Sequence, residues 1–537
     1  MVRVGILPGC LTVLAILALT AQPVAQDQKS GKKGTQQDSR LKLVTSRAAE
    51  EYSVVVGQML KTISHDYHFE EIPETALAGR ALLGLYRAAG SIVPPDALVR
   101  DTDHYFQNVP GKDTVEKLKH AREAIGDMPL IQNERGIHAS LHAVFNTLDI
   151  FSNYSEVDSG TRQTYEQGAG IGLFLEDKPL GGSYFVRNVT IDSPSHKQGI
   201  RPGDEILEIE RQPIPPNTST AQVNVAITIG ARKRGGLSLT IRNLQGVKKT
   251  IEVSTHRQNI DNSELLILGA DYDPETLTMG YRPTGENEWD YWVDYPHRIA
   301  LIRLGTILSP PNRIMEIVYQ LKENGLKGLI LDLRDCPSGV PNQSADLAGF
   351  FVKEDTLIAK TKYRNAANVN VTQGDRKEFR AGKEMKHCLD LPLAVLIGPD
   401  TSGAAELIAA ALQDSERAKI IGQRSRGKST IQNTNQNAMQ LQNNNPYRIP
   451  FSYRLTVGVF MRPSGKNLHR MPGATAADDW GVRPDVDVVL PAQMRRQVRA
   501  WWFEHDTRPV DSLEPTKIDD IKNDPVLEAA VKLLIKK

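Results

Sequence analysis

Cysteine is scarce in this chain: 537 residues contain three, Cys10, Cys336 and Cys388. So few thiols exclude a disulfide scaffold, and no Cys/His spacing matches a zinc site, so no metal is expected. An excess of charge is missing too. Lys and Arg total 65 against 64 Asp and Glu, a net charge of +1. No field steers nucleic acid, and no basic tract carries interleaved aromatics. Long apolar runs are confined to one place, about residues 11–21 of "MVRVGILPGCLTVLAILALTAQPVAQ". That run is short for a membrane span, which needs roughly 20 apolar residues. With Arg3 before it and small residues at Ala21 and Ala25 after it, the layout predicts a signal peptide over 1–26 and an exported protein, periplasmic or secreted. Residues 27–40 are polar and predicted to be a disordered linker. Cys10 precedes the main apolar run, the wrong place for lipid attachment; whether Cys336 and Cys388 pair is left open by the sequence.

What remains is long enough for about three domains. Over 41–152 the pattern is helical. "AEEYSVVVGQMLKTISHDY", "IPETALAGRALLGLYRAAG", "VEKLKHAREAIGDM" and "GIHASLHAVFNTL" repeat apolar residues at helical spacing. His138 and His142 are four apart in the last of these, but no nearby carboxylate completes a ligand set.

Over 153–256 short strands alternate with turns: "AGIGLFLE", "YFVRNVTI", "DEILEIE" and "LSLTIRN". "SPSHKQGIRPGDEILEIERQPI" adds a short helix, a Pro-Gly turn and a strand. On Ser193, Pro194, Gly199, Ile200, Pro202, Gly203, Asp204 and Ile206 to Ile209 this stretch resembles a PDZ domain. The resemblance implies capture of a peptide C-terminus at Gly170, Ile171, Gly172 and Leu173, with the peptide adding a strand to the sheet. A small β module without a ligand is the plainer reading.

Over 257–492 the pattern becomes α/β. "RIALIRL", "LKGLILDLRD", "LPLAVLIGP" and "RAKIIG" read as buried strands, separated by helical "PPNRIMEIVYQLKENG", "SADLAGFFV" and "AELIAAALQD". "NTNQNAMQLQNNNP" reads as a loop, and 493–537 as a helical tail.

Two chemistries compete for Lys428. "GQRSRGKS", Gly422 to Ser429, satisfies the phosphate-loop pattern letter for letter. Phosphate binding also needs a helix beginning at the Lys-Ser pair, and "TIQNTNQN" is a poor helix. No nucleotide is therefore expected. Alternatively, Ser402 in "TSGAAELIAAALQD" stands where a strand turns into a helix, among free helical amides. A lysine stripped of water serves as base for such a hydroxyl, and Lys428 follows a strand able to lie beside the one before Ser402. Ser402 is equally placed to be a helix cap.

The order helical segment, PDZ-like module, "GLKGLILDLRDCPSG", "AELIAAALQD", "GKSTIQ", "WGVRPDVDV" resembles the carboxyl-terminal processing (tail-specific) proteases, the S41 family of serine peptidases, over roughly residues 45 to 490. The resemblance implies a multidomain α/β protein with a peptidase core of the ClpP/crotonase-like type and a Ser/Lys dyad. Lys428 matches the family's lysine, Gln432 its supporting glutamine, and Gly339 the turn that donates to the oxyanion, joined by the amide of Gly403. It implies no cofactor, no nucleic-acid partner, and polypeptide substrates held by their C-termini; self-association is left open. The chain departs at the nucleophile. The family motif S-A-S-E puts the attacking serine three residues before the glutamate; three before Glu406 is Gly403, and Ser402 is its neighbour. Two readings follow: a Ser402/Lys428 peptidase, or a pseudo-protease that binds tails without cutting.

Overall fold

The computed structural model describes residues 46–90, 94–126, 128–156, 171–176, 182–234, 236–254, 278–285, 288–307, 310–337, 339–364, 378–383, 388–435, 449, 451–507 and 518–536. The expected signal peptide and linker, Gly170 and most of the polar insertion lie outside these residues. The chain forms two compact units, one from Arg40–Gln163, Asp273–Val489 and Thr516–Lys537, the other from Thr164–Tyr272 and Leu490–Pro515 with Met1–Ser39.

In the larger unit, helices occupy Ser46–Asp66, Glu74–Ala89, Thr114–Ile125 and Arg135–Phe145. The first buries Tyr52, Val55, Val56, Met59, Leu60 and Ile63, a stripe at helical spacing. Asp113 caps the third by accepting the Glu116 amide at 2.8 Å, while Glu116 reaches back to the Lys112 amide at 2.8 Å. Gly84 lets the second and fourth helices touch: a Cβ there would stand 2.3 Å from Ala143 Cβ. These helices share one apolar core with the sheets of the same unit.

The central sheet runs Trp292–Asp294, Ile299–Leu304, Gly328–Asp332, Leu393–Ile397, Lys419–Gly422, Val486–Asp487, with Thr278–Met279 also on Ile299–Leu304. Its middle strands are parallel, in register Leu301↔Ile330, Ile330↔Ala394 and Val395↔Ile420. Burial on both faces explains their unbroken apolar sequence. Helices Asn312–Glu323, Pro341–Phe350 and Ala404–Asp414 lie between successive strands in the chain. A second, antiparallel sheet centres on Phe451–Met461, which pairs with Asn153–Glu156, Leu357–Tyr363 and Thr430–Asn435. At the end of Gly328–Asp332, Arg334 bridges Asp332 (2.6 Å) and the fully buried Asp524 (2.7 Å), which also caps helix Pro525–Ile535.

The smaller unit holds a sheet ordered Leu173–Leu175, Tyr184–Val189, Glu205–Ile209, Gly236–Arg242, Lys248–Ser254, with Gln212–Pro213 on the third strand. Helix Thr220–Arg234 adds Val223, Ile227 and Ala231 to its core. Helix Ala492–Thr507 adds Phe503, and its Arg496 and Arg499 pair with Glu176 at 3.1 and 2.8 Å.

These units cut across the boundaries expected from sequence. The helical segment is not separate from the α/β core, residues 153–156 form a strand of the larger unit, and the helical tail is divided between the two units. "NTNQNAMQLQNNNP" is not loop from its first residue, since Asn433 to Asn435 continue a strand.

Candidate active site

The chain leaves Leu393–Ile397 through a turn pinned on all sides. Thr401 Oγ1 accepts the Gly398 amide at 2.9 Å and donates to the Leu333 carbonyl at 2.8 Å. The Ser402 amide donates to the Cys336 carbonyl at 3.1 Å, and the Arg426 amide to the Thr401 carbonyl at 2.9 Å. Gly403 then takes φ +62° and ψ −120°, the sharp strand-to-helix conformation that glycine reaches without steric cost. No heavy atom lies within 4 Å of where its Cβ would be. Helix Ala404–Asp414 begins at the next residue, so Gly403, and not Ser402, is its N-cap. Ser402 is 2 % exposed, and its hydroxyl makes no hydrogen bond with any described residue.

Glu406 stitches this turn to the segment bearing Lys428. Its carboxylate accepts from Ser425 Oγ (2.5 Å) and the amides of Gly427 (2.8 Å), Lys428 (2.8 Å) and Gly403 (3.0 Å). Burial pushes its carboxyl up to about 7 against the pull of these four donors.

Lys428 is half-buried, with Nζ 5.1 Å from the centre of the Phe151 ring. Burial holds its amine below the ordinary lysine value, helped by Arg454 and Arg426 and opposed by Glu406 and Asp149. Nζ makes no hydrogen bond with a described residue, Ser402 Oγ included. Gln432 donates through Nε2 to Thr456 Oγ1 at 2.7 Å, and its Oε1 is buried without a partner among the described residues. Thr456 in turn donates to Asp149 (3.1 Å), whose other oxygen accepts from Ser152 Oγ (2.6 Å). Gly339 abuts the helix start: a Cβ on it would lie 3.0 Å from Ala404 Cβ. The strand–turn–helix bearing Ser402, the "LRDCPSG" turn and the lysine segment thus meet at one end of a parallel sheet.

Residues 298–488 match the pattern of peptidase family S41. This segment is an S41 peptidase domain. The carboxy-terminal processing protease CtpA of Bacillus subtilis (strain 168) is 25% identical over 323 residues, 60% of this chain and 56% of that protein. The carboxyl-terminal-processing protease of Synechocystis sp. (strain ATCC 27184 / PCC 6803 / Kazusa) is 28% identical over 268 residues, 49% of this chain and 54% of that protein. The chain therefore aligns with little more than half the length of these relatives. Among solved structures, a photosystem II D1 C-terminal processing protease aligns over 84% of this chain and 97% of its own, at 17% identity and a TM-score of 0.46.

Within the S41 domain the phosphate-loop pattern has no phosphate-loop structure. Strand Thr430–Asn435, not a helix, follows Ser429. The amides of Gly427 and Lys428, which would cradle an anion, are filled by Glu406. One oxyanion expectation needs correction: the Gly403 amide is committed to Glu406, while those of Gly339 and Ala404 donate to no described residue. In the smaller unit Gly172 has φ +69°, and Leu173–Leu175 is an edge strand paired only with Tyr184–Val189 among the described residues. The Ile171 carbonyl accepts the Ser195 amide at 3.0 Å. Cys336 and Cys388 are both buried, and neither forms a disulfide.

Sequence reasoning used Glu406 only as a ruler and passed over Asp149 and His469. The His469 ring stacks on Phe69 at 4.8 Å and meets Phe151 edge-on at 5.9 Å, and burial pushes it down to about 4. Nothing in "NLHRMPG" flags it, since its neighbours come from residues 69 and 151.

Proposed function

We propose that this chain is a serine-type endopeptidase of the carboxyl-terminal processing kind, acting on exported polypeptides. The observation that carries the reading is Lys428: a half-buried amine held below its ordinary value, without a hydrogen-bond partner among the described residues, tied through Glu406 to a turn whose serine hydroxyl is also unspent. Burying such groups costs free energy that packing alone does not return. In this mechanism Ser402 Oγ attacks the scissile carbonyl as neutral Lys428 takes its proton. The amides of Gly339 and Ala404 receive the oxyanion, and the lysine returns the proton to the leaving amine. Water, deprotonated by the same lysine, releases the acyl group. Gln432 Oε1 is the acceptor that would hold the amine once Ser402 swings toward it on the Gly403 hinge. The PDZ-like module would capture the substrate's C-terminus at Gly170 to Leu173.

A second reading rests on Gly403. The sharp conformation, the open space beside its Cα and the free amides of Gly339 and Ala404 together frame a nucleophile at 403, where no side chain exists. On that reading the protein holds polypeptides without cutting them.

Cleavage of an unfolded polypeptide with an apolar C-terminus decides between them. The peptidase reading expects hydrolysis that Ser402→Ala and Lys428→Ala each abolish. An inert wild type that binds the polypeptide and gains hydrolysis with Gly403→Ser overturns it in favour of the second reading.

A further inference from the structure

We propose that Arg454 binds a carboxylate of the bound polypeptide, an acidic side chain or the free chain end, beside the reacting bond. The inference deepens the reading above and rests on polypeptide engagement at this site, with or without cleavage.

Arg454 lies in strand Phe451–Met461, fixed on both edges by pairing with Asn153 and Thr434. Tyr453, Leu455 and Val457 turn into the core. Alternation along a strand therefore puts Arg454 on the opposite face with Thr456, roughly 7 Å away. Thr456 is the residue that holds Gln432 and Asp149, so this face is the one that supports the lysine site. Arg454 is exposed, and among the described residues its guanidinium has neither a hydrogen bond nor an ion pair. Its charge is felt at Lys428, as is that of Arg426, whose amide is bonded to the carbonyl just before Ser402.

Among the described residues, the carboxylates nearest Arg454 are engaged elsewhere. Glu406 is spent on four donors, and Asp149 on Ser152, Thr456 and the Phe151 amide. Glu156, on the adjoining strand, is offset from Asn153 by three residues, hence on the other face, and pairs with His142 at 3.3 Å. An exposed guanidinium with no partner among the described residues, on a rigid strand, is a fork for a carboxylate. A bound carboxylate would also relieve the repulsion between these cations and Lys428 once the lysine takes up a proton.

Fluorescence anisotropy of the full chain with labelled twelve-residue peptides tests this in two arms. One compares an internal Glu with Gln; the other compares a free with an amidated C-terminus. A carboxylate in at least one arm is expected to tighten binding on the order of tenfold at low salt. Arg454→Gln should collapse that ratio, and Arg454→Glu should invert it, with thermal unfolding checking that both variants fold. A carboxylate preference that survives Arg454→Gln belongs to another site, such as the Ile171–Leu173 loop, and overturns the proposal, as does equal binding of charged and neutral peptides by wild type. If no peptide of any charge binds, polypeptide engagement itself fails and the proposal falls with it.

Discussion

Glu406→Gln is the substitution whose consequences the geometry specifies most fully. The wild-type carboxylate accepts four donors, two at each oxygen. An amide keeps one acceptor, and its NH2 group must face two of those donors, so at least two hydrogen bonds to a charged acceptor are lost. Each is worth about 1.5–3 kcal/mol. Against this, the amide escapes the cost of burying a charge. The carboxyl titrates at about 7 in the fold against 4.5 ordinarily, a displacement of roughly 3 kcal/mol. At pH 8 the second effect offsets much of the first, leaving a net loss of about 0–3 kcal/mol. The pH dependence is the sharper test. Because the folded-state value is raised, the carboxyl's contribution to stability is full below about 4.5 and disappears as pH rises through about 7. Wild type should therefore lose thermal stability between pH 5 and pH 8 by more than Glu406→Gln does, with scanning fluorimetry in one buffer series as the assay. Parallel curves for the two proteins would refute the assignment of a strained buried carboxylate. The variant should also slow any hydrolysis, because the lysine segment loses its tether.

Three further outcomes are expected. Gly403→Ser should fold, since no atom blocks the new Cβ, but at a backbone cost of about 1–3 kcal/mol from φ +62°; its hydroxyl should take up a serine-directed acylating probe, read by peptide mapping at 403. Lys428→Arg should abolish hydrolysis, because a guanidinium stays protonated; in wild type the rate should rise with pH through a midpoint below the ordinary lysine value of 10.5. Arg334→Ala should cost about 3–5 kcal/mol by stranding the buried Asp332 and Asp524; denaturant unfolding measures it, and a change under 1 kcal/mol would contradict the packing described.

Local periodicity made much of the architecture legible. The apolar stripe from Tyr52 to Ile63 and the unbroken runs of Leu329 to Leu331 and Leu393 to Ile397 each declare an element and its burial. Helix Thr220–Arg234 escaped because "TAQVNVAITIG" is rich in Val, Ile and Thr, which favour strands; packing of Val223, Ile227 and Ala231 overrides that preference. In the site, Lys428, Gln432 and Gly339 could be named because they sit in motifs. Glu406 could not be given its role, since its partners Ser425, Gly427 and Lys428 follow 19 to 22 positions later. Which of Ser402 and Gly403 occupies the sharp turn depends on backbone angles, and a string of letters does not contain those.

The chain of contacts from Gln432 through Thr456 to Asp149 has a practical corollary. Asp149 receives a partner from the first helical hairpin, its amide donating to Tyr67 Oη at 3.0 Å, and the His68 amide donates to the Thr456 carbonyl at 3.0 Å. A fragment trimmed to 298–488 would keep the lysine yet discard half of what holds its glutamine, and would lay bare Phe451, Tyr453 and Leu455. Minimal-domain dissection is thus a poor route to this site's chemistry: the shortest piece worth purifying starts at the first helix.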